Sequence, residues 1–184
     1  MKRYYQLKIS LIDSKPTIYR RILINPELKL LKLHDVIQIV MGWTNSHLHQ
    51  FIINNEYYAE PNPDDYYEII NYKNIKIIDI LNDIKDKIKY EYDFGDSWLH
   101  TISLEKKIES EEKFNVKCIE GKYNCPPEDC GGIGGYYDLL EIINDPKNEE
   151  YESMLEWLGN DFDPKYFDLV KVNEELEYLN KRVK

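Results

Sequence analysis

"YEYDFGDSWLHTISLEK", residues 90–106, alternates through Tyr90, Tyr92 and Phe94, breaks at Gly95, and resumes with Trp98, His100, Ile102 and Leu104. Apolar residues at every second position mark a strand with one buried face. Two such runs around a glycine predict a hairpin. Asp93 and Asp96 sit in its turn, and His100 stands among the apolar residues of its second strand. Packing alone asks for none of these three groups.

The same alternation recurs on either side. "YQLKISLI" (5–12) sets Tyr5, Leu7, Ile9 and Leu11 on one face, "DSKP" breaks it, and "TIYRRILI" (17–24) follows, so a first hairpin is expected. "LKLLKLHDVIQIVMGW" (28–43) changes period. Its apolar residues at 30, 33, 36, 37, 40 and 41 have helical spacing, with Gly42 as the cap and His34 and Gln38 on the polar side. "SHLHQFIINNEYYAE" (46–60) reads as strand, Asn-Asn turn and return strand.

Residues 60–74 read as a loop, and "NIKIIDILNDIKDKI" (74–88) fits either a short strand or a helical turn. Residues 107–135 read as irregular. Helices are expected over "YYDLLEIIN" (136–144), from Asp145-Pro146 to Gly159 with Tyr151, Met154, Leu155 and Leu158 buried, and over "DLVKVNEELEYLNKR" (168–182). Strands joined by short turns, with helices grouped at the end, define an α+β class. The expected architecture is an antiparallel sheet of hairpins with one early helix and a C-terminal group of helices packed against it. One domain, residues 1–184, is expected.

Composition narrows the function. The chain is 42% hydrophobic and 32% charged, which suits a globular domain. Sixteen tyrosines against five phenylalanines suggest a wide, half-buried sheet, since tyrosine buries its ring and keeps a polar handle. The formal charge of −10, with arginine only at 3, 20, 21 and 182, disfavours general nucleic-acid binding. No apolar stretch is long enough to span a membrane, and the basic start is not followed by a signal-like apolar run. The expected location is cytoplasmic, where thiols stay reduced.

Three groups of residues could carry chemistry. Cys118, Cys125 and Cys130 lie in one irregular segment and could hold zinc with His100 as a fourth ligand, although neither spacing is the usual two-residue knuckle. The structural alternative is small buried side chains pinning a loop. His47 and His49 share a strand face with Phe51, so His49, His100, Asp93 and Asp96 could converge for acid–base work or for a divalent ion. Against this, aspartates flanking a tight turn commonly bond the nearby amides, and an inward histidine commonly bonds a carbonyl.

Arg20 and Arg21 face opposite sides of a strand, so one is buried. A buried arginine calls for a carboxylate, and Asp93 or Asp96 is the candidate; the alternative is two solvated side chains on an edge. "CGGIGGYYDLLE" (130–141) offers free amides before a helix for an anion, without the spacing of a phosphate loop. No Ser-His-Asp order and no His-Glu-x-x-His helix is present.

"KPTIYRR", "MGWTNSHLHQF", "YEYDFGDSWLHTI", "CPPEDCGGIGGY" and "MLEWLGNDFDP" occur in one order. Together they resemble the Ri-plasmid ORF-three-like family (the pRiA-four-b ORF-three domain), over about Tyr5 to Leu179. The matching positions are Arg20, Arg21, Trp43, His47, His49, Asp93, Gly95, Asp96, Trp98, His100, Cys125, Cys130 and Asp161, with Tyr19 where tryptophan is more usual. The resemblance implies a compact α+β domain and no particular reaction.

The reading that follows is one polar site between the His-x-His strand, the DFGD turn and the cysteine loop. It would hold zinc and act as a hydrolase-like centre, with Asp93, Asp96, His100, His49 and Arg20 as catalytic candidates. The alternatives are a protein-interaction module, or an accessory protein of plasmids and mobile elements.

Overall fold

A computed structural model of the chain describes residues 1–64, 66–159 and 162–181. Eight strands form one sheet: β1 (Lys2–Leu11), β2 (Tyr19–Ile24), β3 (His49–Ile53), β4 (Glu56–Ala59), β5 (Ile69–Asn71), β6 (Lys87–Tyr92), β7 (Trp98–Ser110) and β8 (Val116–Lys122). Their order is β5-β4-β3-β6-β7-β1-β2-β8, antiparallel throughout except for the parallel β4–β5 pair. The helices are α1 (Leu30–Met41), α2 (Ile77–Ile80), α3 (Gly132–Asn144), α4 (Tyr151–Leu158) and α5 (Leu169–Lys181). The chain is α+β, with one early helix and a C-terminal helical group, as its periodicities require.

The expected hairpins form in register. Tyr90 pairs with His100 and Tyr92 with Trp98 across β6–β7, and Leu7 pairs with Ile22 across β1–β2. The alternate residues of these strands, including Leu7, Ile9, Ile22, Ile24, Phe51, Tyr90, Ile102 and Leu104, join Leu30, Leu33, Val36, Ile37 and Val40 of α1 in one buried cluster. Gly42 ends α1 in the left-handed conformation at φ 92°.

Four expectations are corrected. Residues 60–74 are not a loop throughout, since β5 falls within them and pairs with β4. Residues 107–135 are not irregular throughout: β7 runs on to Ser110, and β8 is the edge strand beyond β2. The helix expected from Pro146 begins at Tyr151, and Met154, Leu155 and Leu158 are only half-buried. His34 and Gln38 are not on a solvated face. Both are buried, because the hydroxyl of Tyr90 reaches across from β6 to bond His34 Nδ1 at 2.8 Å and Gln38 Nε2 at 3.0 Å. A buried tyrosine hydroxyl needs such partners, and they hold α1 to the sheet.

The β8 edge is closed by α5 through two asparagines seven residues apart, hence on one helix face. Asn173 accepts from Cys118 N at 2.9 Å and donates to Cys118 O at 2.9 Å. Asn180 accepts from Asn115 N and Val116 N and donates to Val116 O. The side-chain amides thus stand where a ninth strand's backbone would, blunting an edge that would otherwise template association. Substituting either Asn173 or Asn180 by Ala is expected to lower unfolding free energy by about 1–3 kcal/mol. The double substitution should drive self-association on gel filtration; a monomeric double variant of unchanged stability would contradict this role.

Three histidines are held neutral by the fold. His34 and His49 stack face to face, centroids 3.4 Å apart at 4°. Burial lowers the pKa of His34, lowers that of His49 to about 3 with the His34 charge adding to the effect, and lowers that of His100 to about 4. In the unfolded chain each titrates near 6.5. Above that pH neither state takes the protons. Below it the unfolded chain binds protons that the folded one refuses, so stability falls with pH. As pH falls from 6.5 to 5, above the range where carboxylates dominate, His49 and His100 should bring the slope toward two protons, about 3 kcal/mol per pH unit, with His34 adding in the same direction. Urea unfolding at stepped pH measures it, and a slope of one proton or less would show the rings titrating freely.

Candidate functional site

The DFGD turn joins β6 to β7 with non-glycine residues in the left-handed region at Asp93 (φ 58°) and Ser97 (φ 52°). Aspartate tolerates this conformation because its carboxylate can bond the local backbone. Asp93 uses one oxygen in that way: Oδ1 accepts from Gly95 N at 2.9 Å, and Asp93 O accepts from Ser97 N at 2.6 Å. The second oxygen, Oδ2, is left facing His47 Nδ1 at 3.6 Å. The turn bond and the contact with His47 therefore fall on different atoms of one carboxylate.

The cysteine loop comes over this turn. Trp43 Nε1, just beyond α1, donates to Pro126 O at 3.1 Å. Glu128 accepts from the Tyr92 hydroxyl at 2.5 Å and from Thr44 Oγ1 at 2.6 Å. Gly131 N donates to Asp96 Oδ2 at 3.2 Å. These bonds place Asp129, itself left-handed at φ 61°, so that its Oδ1 lies 3.2 Å from His47 Nε2. Among the described residues, His47, Asp93 and Asp129 form the group of metal-capable side chains, one ligand atom of each lying within 4.8 Å of the others. Asp93 is buried, His47 half-buried and Asp129 exposed, so the cluster opens to solvent on the Asp129 side.

The glycines of "GGIGG" serve this docking. Gly132, at φ 68°, opens α3 with its α-carbon against the Asp96 carbonyl, and a β-carbon there would overlap that oxygen. A β-carbon at Gly135 would overlap Cys130 O. Close packing thus accounts for two of the glycines without an anion.

The other sequence candidates lie in different surroundings. His100 is wholly buried, its Nδ1 bonded to Trp98 O at 2.9 Å; Nε2 has no partner among the described residues. His49 Nε2 is spent on the Tyr72 hydroxyl at 2.9 Å. Asp96 is spent on Gly131 N.

The three thiols and His100 do not form a ligand group of the kind His47 belongs to. Burial pushes Cys118 up to about 11, and Cys125 and Cys130 up to about 12, so the free thiols are protonated. The guanidinium of Arg20 acts on Cys118, Cys125 and His100, and Glu128 also acts on Cys125. Arg20 meets no carboxylate among the described residues. Its Nε donates to Val40 O at 2.7 Å, its Nη1 to Tyr19 O and Lys122 O, and its plane lies 4.3 Å from the Phe167 ring. A fixed cation beside the thiols disfavours a second cation there. Arg21 is the half-buried member of the pair, bonded to Glu105 and Glu120. Asp161 lies outside the described residues.

Sequence patterning did not single out Asp129, and it left His47 outside the site. The available signal was the run Pro126-Pro127-Glu128-Asp129, which stiffens a loop and ends it on a carboxylate.

Among the described residues, no helix is long and apolar enough to cross a membrane. The chain matches the family described as plasmid pRiA4b ORF-3-like protein over residues 3–171. It is 32% identical over 176 residues to the uncharacterised protein y4hQ of Sinorhizobium fredii, covering 95% of this chain and 91% of that protein. A crystal structure of a protein of unknown function, MM3350 from Methanosarcina mazei Go1, superposes with a TM-score of 0.84 at 35% identity, over 93% of this chain and 97% of that one. The shared motifs, the fold and these matches agree: the chain belongs to the plasmid pRiA4b ORF-3-like family.

Proposed function

We propose that the protein binds a divalent cation of the zinc class at His47, Asp93 and Asp129, and that the bound ion forms a hydrolase-like centre. The observation that carries this reading is the convergence of one imidazole and two carboxylates from three separate segments within 4.8 Å. Their two negative charges suit a divalent ion, and a mixed nitrogen and oxygen set suits zinc ahead of manganese or iron(II). Three protein ligands with an open side is the arrangement of catalytic zinc, which lowers the pKa of its bound water to about 7, whereas structural zinc is closed by four. Leu48 and Phe94, the residues after His47 and Asp93, line an adjoining cleft of about 170 Å³ with Tyr67 and Tyr72.

A second reading is a protein-interaction module in which the same cluster only fastens the loops. It is favoured by the exposure of Leu48 (70%) and Phe94 (45%), and by the commitment of Asp96 and His100 to backbone bonds. The partner under this reading is a protein, since the net charge opposes a phosphate backbone.

The test uses Asp93→Asn together with Asp129→Asn. Asparagine tolerates the left-handed backbone and keeps the turn acceptor, so the fold should survive. Protein purified without chelators should carry near-stoichiometric zinc and melt at a higher temperature than chelated protein. The double variant should bind zinc on the order of 100-fold more weakly or worse. Hydrolysis of activated esters that disappears in the double variant supports the first reading, and zinc binding without it supports the second. Protein that stays metal-free in excess zinc removes the cation from both.

A further inference from the structure

A separate pocket of about 220 Å³ lies between the β1–β2 turn, the segment after β8, the body of α3 and the stretch around Pro164. Its walls are mainly apolar, from Pro16, Ile18, Tyr123, Leu140 and Pro164. Three polar features distinguish it. Lys15 and Lys165 stand in its lining, both are exposed, and neither ammonium makes an ion pair among the described residues. Among the described residues no carboxylate lines it, on a chain with 34 acidic residues against 24 basic. Tyr136 also lines it; only 4% of this residue is exposed, and its hydroxyl makes no hydrogen bond to any described residue.

Burial pushes the Tyr136 hydroxyl up to about 12, so it stays protonated and offers a neutral donor. The Tyr136 residue is almost wholly buried while its hydroxyl keeps contact with solvent, so a ligand in the pocket can reach it and take its hydrogen bond. The turn is preorganised as well: the Tyr137 hydroxyl accepts from Lys15 N at 2.5 Å and donates to Asp13 O at 3.1 Å, tying the Lys15 backbone to α3.

We infer that this pocket binds a small organic carboxylate, with the apolar body between Ile18 and Leu140, the carboxylate facing Lys15 and Lys165, and the Tyr136 hydroxyl donating to the ligand. Apolar walls with a few convergent polar groups are the usual form of a small-molecule site. The size sets the class of ligand. A dry cavity of about 150 Å³ admits benzene, so 220 Å³ holds one ring or a branched chain with a short arm. Inorganic phosphate would leave the apolar walls uncovered. The site is independent of the cation cluster and does not rest on it.

The test is titration of the full chain with 3-phenylpropionate, its neutral amide and inorganic phosphate, followed by amide NMR shifts. The carboxylate should bind saturably, moving resonances of the 14–18 turn and of α3. The amide should bind more weakly, by about five-fold for each lysine that it fails to engage, and phosphate should not saturate. Replacing Lys15 and Lys165 together by Ala should bring the carboxylate down to the level of the amide. Tyr136→Phe should weaken both ligands. Leu140→Trp should fill the pocket and abolish binding while leaving the rest of the spectrum folded; if that variant fails to fold, the lysine pair still decides. Equal binding of carboxylate and amide, or no saturation by about 10 mM carboxylate, overturns the inference.

Discussion

The α-carbon of Gly132 lies against the carbonyl oxygen of Asp96, with no room for a side chain between them. Most of what is distinctive in this molecule depends on that contact. It brings the start of α3 onto the DFGD turn, and the loop before α3 must then pass directly over the ends of β6 and β7. Trp43, Tyr92, Thr44 and Gly131 fix the loop's course with hydrogen bonds, and Asp129 arrives beside His47 as a result. A left-handed residue stands at each critical bend: Asp93, Asp129, Gly131 and Gly132. Such backbone persists where the surroundings over-determine it, and those surroundings are here the backbone of the apposed segment.

Beneath this assembly the core carries an unusual polar load. Arg20, His34, Gln38 and His100 are all buried. Each of them bonds mainly to a tyrosine, a backbone carbonyl or a neighbouring amide, and none is paired with an acid. Carbonyl partners satisfy a guanidinium's hydrogens without neutralising its charge, so Arg20 leaves a net positive potential in the interior. That charge lies beside Cys118, Cys125 and His100, which burial favours in their neutral forms. The acidic side chains gathered at the turn, Asp93 buried and Asp129 exposed, lie instead around His47.

The sheet and α1 were legible because period two and period 3.6 leave plain marks. Tyr90, Tyr92, Trp98 and His100 alternate without interruption, and α1 keeps its apolar stripe for twelve residues. β8 was not legible. In "VKCIEGK" its packing role falls to Val116 and Cys118, then to Gly121, against which the Phe167 ring packs, so the alternation is masked. His34 and Gln38 were misassigned for a related reason: helical periodicity marks polarity, and these polar residues face inward to meet the Tyr90 hydroxyl from another element. The site was half legible. The turn, the histidine strand and the cysteine loop do meet as the residue types suggested, but through His47, Asp93 and Asp129, because left-handed bends choose which side chain points inward.

Sequence alone also posed the turn aspartates as a choice between capping and chemistry, and at Asp93 the geometry dissolves it. A carboxylate has two oxygens, and a tight turn occupies one. The bond from Gly95 N to Oδ1 fixes the torsion of the side chain, so Oδ2 is held toward His47. Preorganisation of this kind lowers the entropy lost on binding. Asp96 shows the contrasting case. Its Oδ2 accepts from Gly131 N and its carbonyl meets Gly132, so it anchors the loop. Two aspartates three residues apart in one turn thus divide the work, one anchoring the loop that brings Asp129 into place and the other presenting an oxygen to the place that loop creates.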